Sequence, residues 1–218
     1  MNHGKIIVIE GLDGSGKQTQ SEILFDKFCD LGKKAELISM PNYQSLSSGP
    51  VRMYLNSQIS ENLFEVNSFA ASSFFAVDRF INYVTSWKNF YFDENYTIIC
   101  DRYTTSNMIY QLAKLDFKHW DNFLDWLCDY EYNKLQIPKP DTVIYLKLPI
   151  EISQKLLQLR NEPIDLHESD IKFLKLCLKA AEYSAEKFGW HTINCSEDGE
   201  RVDPLHKISE QIFKILNI

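Results

Sequence analysis

The sequence predicts an α/β domain in which a five-stranded parallel sheet is covered by helices on both faces. Two observations carry this prediction. Short apolar runs rich in β-branched residues alternate with longer segments of helical periodicity. The first run ends abruptly in a glycine-rich loop that a helix follows directly. Such alternation implies right-handed crossovers and therefore parallel strands. The 218 residues suffice for one core, and we expect a single domain over residues 1–218.

Each predicted element follows from its own pattern. Short, mainly apolar runs indicate buried strands at Lys5–Glu10, Ala35–Met40, Tyr96–Cys100, Thr142–Lys147 and Trp190–Asn194. Apolar residues three and four positions apart indicate helices at about Lys17–Leu31, Pro50–Leu55, Val66–Phe90, Met108–Leu115, Trp120–Tyr132, Ile150–Arg160, Ile171–Phe188 and Pro204–Leu216.

The loop after the first strand has the composition and setting of a phosphate-binding loop. Its glycines let backbone amides converge on phosphate oxygens, and the start of the next helix adds the positive end of its dipole. Lys17 reaches the terminal phosphates. The alternative is a chance glycine-rich turn, which the flanking strand and helix disfavour. The predicted nucleotide phosphate site comprises Gly11, Leu12, Asp13, Gly14, Ser15, Gly16, Lys17, Gln18 and Thr19.

The residue after the lysine departs from the usual pattern. A Ser or Thr hydroxyl normally binds Mg²⁺ there, but this chain has Gln18. Thr19 cannot simply replace it, because a helix turns about 100° per residue. A glutamine amide oxygen is a hard enough ligand for magnesium. We expect nucleotide phosphates and waters to hold the metal mainly, with Gln18 bound to it or hydrogen-bonded to one of its waters.

A charged pair, Asp101-Arg102, follows the third predicted strand directly. The carboxyl ends of the strands in such a sheet lie beside the phosphate loop. The Asp101 carboxylate would then hold Mg²⁺ or its waters, and the Arg102 guanidinium would clamp a phosphate through two hydrogen bonds. The alternative is a helix N-cap with an incidental arginine.

The segment Val66–Phe90 is predicted to be one long helix with two different faces. A stripe of apolar residues at three and four residue steps predicts the core face: Val66, Ala70, Phe74, Val77, Ile81 and Val84. Phe75 and Arg79 lie four apart on another face. The pattern alone favours more core for Phe75 and a surface ion pair for Arg79.

Composition excludes several classes of protein. The net charge of −7 and the pI near 5.3 argue against binding nucleic acid or an anionic membrane through bulk charge. No apolar run is long enough to span a bilayer, and the amino terminus runs directly into the first strand, so we expect a cytoplasmic protein. The five cysteines lack metal-ligand spacing and are expected to be reduced.

Several linked motifs together resemble the thymidylate kinase family over nearly the whole chain. They are Glu10 to Lys17, Met40 to Tyr43, Phe75 to Arg79 (FAVDR), Asp101 to Tyr103 with the residues just downstream, and Asp165 to Glu168. The resemblance implies a P-loop fold of the nucleoside monophosphate kinase type. It also implies an enzyme that transfers the γ-phosphoryl of ATP to dTMP, making dTDP, with Mg²⁺ as cofactor.

The resemblance also assigns base-side and loop contacts. Asp13 would interact with the sugar and phosphate region of the substrate, and Tyr43 would lie near the acceptor phosphate. Phe75 would stack on thymine and Arg79 would hydrogen-bond the base. Both residues therefore change from core and surface positions to expected substrate contacts.

The residues after the third strand receive roles in the same way. Arg102 would bind the transferring or acceptor phosphate. Tyr110 would exclude a ribose 2′-hydroxyl by packing under the sugar, and Asn107 and Gln111 would contact the base and sugar.

A short lid is expected around residues 160–169, and it contains a second departure. The run Asp165-Leu166-His167-Glu168 resembles the family's Asp-Arg-x-Glu, with Leu166 in place of the arginine. Phosphoryl transfer needs cations around the transferred group, and the phosphate loop contains no arginine. The family supplies such an arginine from either the phosphate loop or the lid, so the resemblance implies that role for Arg160. The expected catalytic set is Lys17, Arg102, Arg160 and Asp13.

Two alternatives stay open. A P-loop kinase for another nucleoside monophosphate or for a deoxynucleoside would share the phosphate loop and the Asp-Arg element. A non-catalytic nucleotide-binding protein would explain the departures at Gln18 and Leu166. Because the family usually forms homodimers through helices that include the long one, we expect a homodimer that binds dTMP and ATP.

Overall fold

The computed structural model describes residues 3–159 and 170–218. Within them, five parallel strands form one sheet in the order β2-β3-β1-β4-β5. They are β1 (Lys5–Gly11), β2 (Lys34–Ser39), β3 (Tyr96–Asp101), β4 (Thr142–Lys147) and β5 (His191–Asn194). The predicted parallel sheet is confirmed, and Ile9 of β1 lies beside Asp101 of β3.

Helices connect the strands. They are α1 (Lys17–Asp30), α2 (Gly49–Leu55), α3 (Ser68–Asn82), α4 (Lys88–Tyr91), α5 (Asn107–Tyr110), α6 (Trp120–Cys128), α7 (Ile150–Leu159), α8 (Ile171–Phe188) and α9 (Leu205–Leu216). In place of the helix predicted over Met108–Leu115, the chain forms α5 and a separate 3₁₀ turn, Leu112–Lys114. Among the described helices, none is long and apolar enough to cross a membrane.

The strands bury apolar side chains on both faces, as a sheet covered on both sides requires. In β1, Ile6 and Val8 join one core, and Ile7 and Ile9 join the other. The first core contains large aromatic side chains, among them Tyr54, Trp87, Phe123 and Phe173. The second lies under α1 and α9 and includes Leu24, Phe28, Ile208 and Ile212. The two cores hold the strands in register, so the loops at their carboxyl ends have a rigid base.

The interpretation of Val66–Phe90 as one helix is wrong, and its predicted core stripe is only half right, because Val66, Ala70 and Phe74 belong to the first core or pack against it. The α-helix ends at Asn82, and Tyr83–Trp87 form a π-helical turn before α4. Three members of the predicted stripe, Val77, Ile81 and Val84, are 42%, 36% and 46% exposed. The buried face carries small and polar side chains instead: Ala71, Ser72, Ala76, Asp78 and Arg79. Small side chains permit close packing of α3, and its charged side chains can be buried because they find partners there.

Candidate active site

The phosphate loop runs from the end of β1 to the first residue of α1. Gly14 and Gly16 have φ values of +80° and +85°, which side chains with a Cβ rarely adopt. A Cβ on Gly11 would lie 2.8 Å from the carbonyl oxygen of Leu146, so glycine also lets β1 and β4 end side by side. The loop is therefore shaped by local backbone freedom and by close packing.

Lys17 occupies the first position of α1 and is 6% exposed. Its Nζ donates to the carbonyl oxygen of Leu12 at 2.8 Å and lies 3.6 Å from Asp13 Oδ1. Burial lowers the pKa of Lys17, and the neighbouring Arg102 cation lowers it further. The ammonium group is thus held against its own loop, at the start of a helix whose dipole favours anions.

Asp13 brings the phosphate loop together with the residues that follow β3. Its Oδ1 accepts from Arg102 Nη2, and its Oδ2 accepts from the Tyr110 hydroxyl at 2.8 Å. Burial and then the Asp13 charge raise the pKa of Tyr110, which keeps its hydroxyl a donor. Burial disfavours the charge of Arg102, but Asp13 together with Tyr110, Glu10 and Asp101 outweighs this effect, and the pKa of the guanidinium is raised.

Arg102 has a strained backbone. Its φ is +67°, which costs a residue with a Cβ about 1–2 kcal/mol. Its amide nevertheless donates to the carbonyl oxygen of Ile9 at 3.2 Å, and its guanidinium lies 5.5 Å from the centre of the Tyr110 ring. This conformation brings the guanidinium to Asp13 of the phosphate loop, at the end of β1.

Glu10 ties the phosphate loop to the turn after Arg102. The side chain is fully buried at the end of β1. Its Oε1 accepts from the Gly11 amide at 2.9 Å, and its Oε2 accepts from Thr105 Oγ1 at 2.7 Å and Ser106 Oγ at 2.8 Å. The segment that carries Asp13 and Lys17 and the segment that carries Arg102 are therefore fixed to one carboxylate.

One cavity, with an open volume of about 480 Å³, is lined by every residue that was predicted to bind the substrate. Its lining comprises Asp13, Met40, Pro41, Tyr43, Leu55, Phe75, Arg79, Arg102, Tyr103, Ser106, Asn107, Tyr110 and Gln111. The Phe75 ring meets the Tyr54 ring edge to face, with centroids 6.2 Å apart. The cavity has an aromatic wall, a polar end and a cationic mouth, which suits a nucleotide.

Arg79 is a buried residue and not a member of a surface ion pair. It is 3% exposed, and its Nε and Nη2 donate to Glu131 Oε2 and Oε1 at 2.7 and 2.9 Å. Its Nη1 donates to the carbonyl oxygen of Tyr103 at 3.0 Å. Burial works against the guanidinium charge, but Glu131 outweighs it and the net pKa is raised. Arg79 thus reaches the cavity as a rigid, charged donor.

The loop that carries Tyr43 is held from two sides. The buried Asp78 accepts from the amide of Asn42 at 3.1 Å and from Ser47 Oγ at 2.5 Å. Arg52 Nη1 donates to the carbonyl oxygen of Tyr43 at 2.6 Å. Asp78 is the neighbour of Arg79 in the sequence, so α3 positions this loop and the end of the cavity at once.

A second cavity, of about 900 Å³ with open solvent included, lies over the phosphate loop. From the predicted phosphate set it is lined by Asp13, Gly14, Gly16, Lys17 and Gln18; Gly11, Leu12, Ser15 and Thr19 form the loop and helix turn beside it. Asp101 and Arg102 line it too.

The two predicted metal residues both face this second cavity. Asp101 Oδ2 accepts from Ser39 Oγ at 3.3 Å, whereas its buried Oδ1 has no hydrogen-bond partner within residues 3–159 and 170–218. Gln18 is exposed, and its Nε2 donates to Glu22 at 3.0 Å. In that same part of the chain, no group of three His, Cys, Asp or Glu side chains could bind a metal alone. An orphaned carboxylate oxygen beside a phosphate site fits Mg²⁺ that is held chiefly by nucleotide phosphates.

Comparison with known proteins identifies the family. The family model for thymidylate kinase matches residues 9–204. The chain belongs to the thymidylate kinase family. Thymidylate kinase of Schizosaccharomyces pombe is 30% identical over 209 residues, which cover 92% of this chain and 89% of the relative. The probable thymidylate kinase of Pyrococcus horikoshii is 34% identical over 158 residues, or 72% of this chain and 71% of the relative.

Solved structures agree in fold. A thymidylate kinase structure from Candida albicans superposes with a TM-score of 0.75 at 23% identity, covering 99% of this chain and 92% of that chain. The predicted P-loop kinase fold and family are confirmed. As a member of the thymidylate kinase family, the chain is a nucleotide-binding phosphotransferase, and the family implies ATP as co-substrate.

Several residues that shape this thymidylate kinase site were not singled out by their sequence pattern. Glu131 and Arg52 lie in ordinary polar or helical contexts that give no signal. Glu10 did have a recognisable sequence signal, because a carboxylate at the end of a β-branched strand must find hydrogen-bond donors in the core. Arg160 and the expected lid, residues 160–169, lie outside the described residues.

Proposed function

We propose that this chain transfers the γ-phosphoryl group of ATP to dTMP, giving ADP and dTDP. The observation that carries the proposal is the overlap of the two cavities. Asp13, Tyr43 and Arg102 line both, together with Met40 and Pro41. A monophosphate seated with its base at the polar end of one cavity would bring its phosphate to the mouth of the other. Donor and acceptor phosphates would therefore meet at Asp13 and Arg102.

Positioning and cationic charge are the main requirements of phosphoryl transfer. Lys17 and Arg102 would supply the charge from two sides of the junction. Both already contact Asp13, so the carboxylate would hold them apart at a fixed distance. Mg²⁺, when bound, neutralises charge on the nucleotide phosphates, and Asp101 and Gln18 are the residues that would bind it or its waters.

The chemistry of each side chain suggests which part of dTMP it would contact. Phe75 would stack on the base, and Arg79, Asn107 and Gln111 would bond its polar edge. Tyr110, held by Asp13, would pack under the sugar and exclude a 2′-hydroxyl. Tyr43 would lie beside the acceptor phosphate.

The decisive assay measures ADP release with dTMP, dUMP, dCMP and thymidine as acceptors at saturating ATP. We expect the highest kcat/KM with dTMP. Fastest turnover with thymidine would instead identify a deoxynucleoside kinase, and ATP binding without transfer to any acceptor would identify a non-catalytic protein. The Lys17→Met variant is the control, because it should retain the fold and lose the turnover of this site.

The metal residues can be tested separately. The Gln18→Thr variant restores a hydroxyl at the position after the lysine, so it should change the Mg²⁺ concentration at half-maximal rate. An unchanged Mg²⁺ dependence would remove Gln18 from the metal site.

We further propose that residues 1–218 form one domain with a lid around residues 160–169, and that Arg160 supplies charge to the transferred group. The Arg160→Ala variant should lower kcat by orders of magnitude and leave dTMP affinity nearly unchanged. An unchanged kcat would contradict this role.

A homodimer is the proposed assembly. The exposed side of α3 and the turn after it carries Val77, Phe80, Ile81 and Val84, each between 36% and 46% exposed. Adjacent apolar side chains of this kind are typical of a protein interface. The Ile81→Glu variant should halve the mass measured by light scattering, whereas Leu205→Glu, at an exposed site on α9, should not.

A further inference from the structure

Glu131 lies at the base end of the substrate cavity, behind the residues that line it. It belongs to a π-helical turn, Asp129–Lys134, that follows α6, and its side chain is fully buried. Its carboxylate accepts hydrogen bonds from two cavity residues at once: Arg79 through Nε and Nη2, and Asn107 through Nδ2 at 3.1 Å. One carboxylate therefore orients both polar groups at this end of the cavity.

The hydrogen bonds of Arg79 determine what it can offer a ligand. A guanidinium has five N–H groups. Two are used by Glu131 and one by the carbonyl oxygen of Tyr103. The paired, planar arrangement fixes the guanidinium, and within the described part of the chain one N–H on Nη1 and one on Nη2 remain for a ligand. At this position the cavity therefore presents donors.

The hydrogen bonds of Asn107 leave it an acceptor for a ligand, whereas those of Arg79 leave donors. Asn107 Nδ2 donates to Glu131 and, at 3.3 Å, to the carbonyl oxygen of Ser72. Both amide hydrogens are engaged, so among the described residues Oδ1 is the amide atom left to meet a ligand. At this position the cavity presents an acceptor, and Glu131 is the reason that the amide is turned this way.

We propose that Glu131 is a positioning residue that sets base selectivity by fixing a donor at Arg79 beside an acceptor at Asn107. This inference rests on the proposed function. A 4-oxopyrimidine has a carbonyl oxygen at position 4 and an N–H at position 3, which match a donor and an acceptor in that order. Cytosine has an amino group and a bare nitrogen at those positions, so both contacts oppose it. Discrimination would arise because buried polar groups are left unpaired by the wrong base.

A purely structural role for Glu131 predicts something different. Removing one partner of a buried ion pair destabilises the fold, and the active fraction would then fall equally for every acceptor. A positioning role predicts a change in the ratio of two acceptors. The ratio of kcat/KM for dTMP to kcat/KM for dCMP separates these possibilities, because it does not depend on how much enzyme is folded.

The Glu131→Gln variant is the first test. An amide at residue 131 accepts fewer hydrogen bonds and brings its own donors against Asn107 Nδ2, so the Asn107 amide loses its single favoured orientation. We expect the dTMP-to-dCMP ratio to fall by about tenfold to a hundredfold, mostly through a higher KM for dTMP, and KM for ATP to stay within about twofold. The control is Glu182→Gln, whose carboxylate pairs with Lys147 on the surface, and it should leave the ratio unchanged.

The Glu131→Asp variant provides the test if the glutamine variant does not fold. It keeps the charge for Arg79, but it is one methylene shorter and cannot also reach Asn107, so the ratio should again fall. A wild-type enzyme without activity on dTMP would refute the proposed function. An active wild-type enzyme whose ratio is unchanged in the folded variants would refute only the role of Glu131.

Discussion

Gly14 and Gly16 provide a matched test of how the phosphate loop is held. Both have strongly positive φ values, +80° and +85°, so alanine at either position costs about 1–2 kcal/mol of backbone strain. Their surroundings differ. A Cβ on Gly14 would lie 2.8 Å from the carbonyl oxygen of Ser153 in α7, whereas a Cβ on Gly16 would meet nothing within 4 Å among the residues that the structure describes.

The contact adds a cost at Gly14 alone. A backbone carbonyl cannot rotate away as a side chain can, so either the loop or the first turn of α7 must shift. Forced packing of this kind costs about 1–3 kcal/mol. The Gly14→Ala variant should therefore lose about 2–5 kcal/mol in total, against about 1–2 kcal/mol for Gly16→Ala.

Scanning calorimetry of the two variants and the wild type, without nucleotide, measures this difference. For a chain of this size, 1 kcal/mol corresponds to a change in Tm of about 2–4 °C. We expect Gly14→Ala to melt about 2–12 °C below Gly16→Ala. Adding Ser153→Ala should not rescue Gly14→Ala, because the obstructing oxygen belongs to the backbone. Equal Tm values for the two single variants would refute the reasoning.

Two further predictions follow from buried charges. The Glu10→Gln variant replaces three charge-assisted hydrogen bonds by neutral ones, each weaker by about 1 kcal/mol. Urea titration should therefore show a free energy of unfolding about 3 kcal/mol lower than that of the wild type. A loss below about 1 kcal/mol would contradict this. Burial lowers the pKa of Lys114 from 10.5 to about 8, so between these values the folded chain binds fewer protons than the unfolded chain. The stability penalty is therefore full below about pH 8 and is relieved as pH rises towards 10.5, and wild-type Tm should rise relative to Lys114→Gln over this range. Parallel pH profiles would show that Lys114 titrates normally.

Asp13 and Arg102 show why this site could be anticipated in outline. Each belongs to a pattern that is local in the chain: Asp13 to a glycine-rich loop, and Arg102 to a charged pair after a buried strand. Strand order then places them together, because β1 and β3 are neighbours and both end at the same edge of the sheet. The hydrogen bond from Arg102 to Asp13 spans 89 residues, yet it follows from two local patterns and one topological rule.

The face that α3 buries could not be anticipated in this way. Its most apolar stripe predicted the core, but Val77, Ile81 and Val84 are exposed. Periodicity ranks side chains by their own hydrophobicity and contains no information about partners elsewhere in the chain. Arg79 is buried because Glu131, 52 residues away, compensates its charge.

The residues that line one substrate cavity were anticipated from the family resemblance, whereas the sequence patterns alone determined the phosphate loop, the strands and the parallel sheet. These follow from backbone conformation and burial patterns within short segments, which act before any distant contact forms. Only the tertiary structure decided which side of α3 is covered, which carboxylate holds the base-end residues, and which way the Asn107 amide points. Such properties depend on pairs of groups from distant segments, and a buried charge or amide is oriented by the partner that satisfies it.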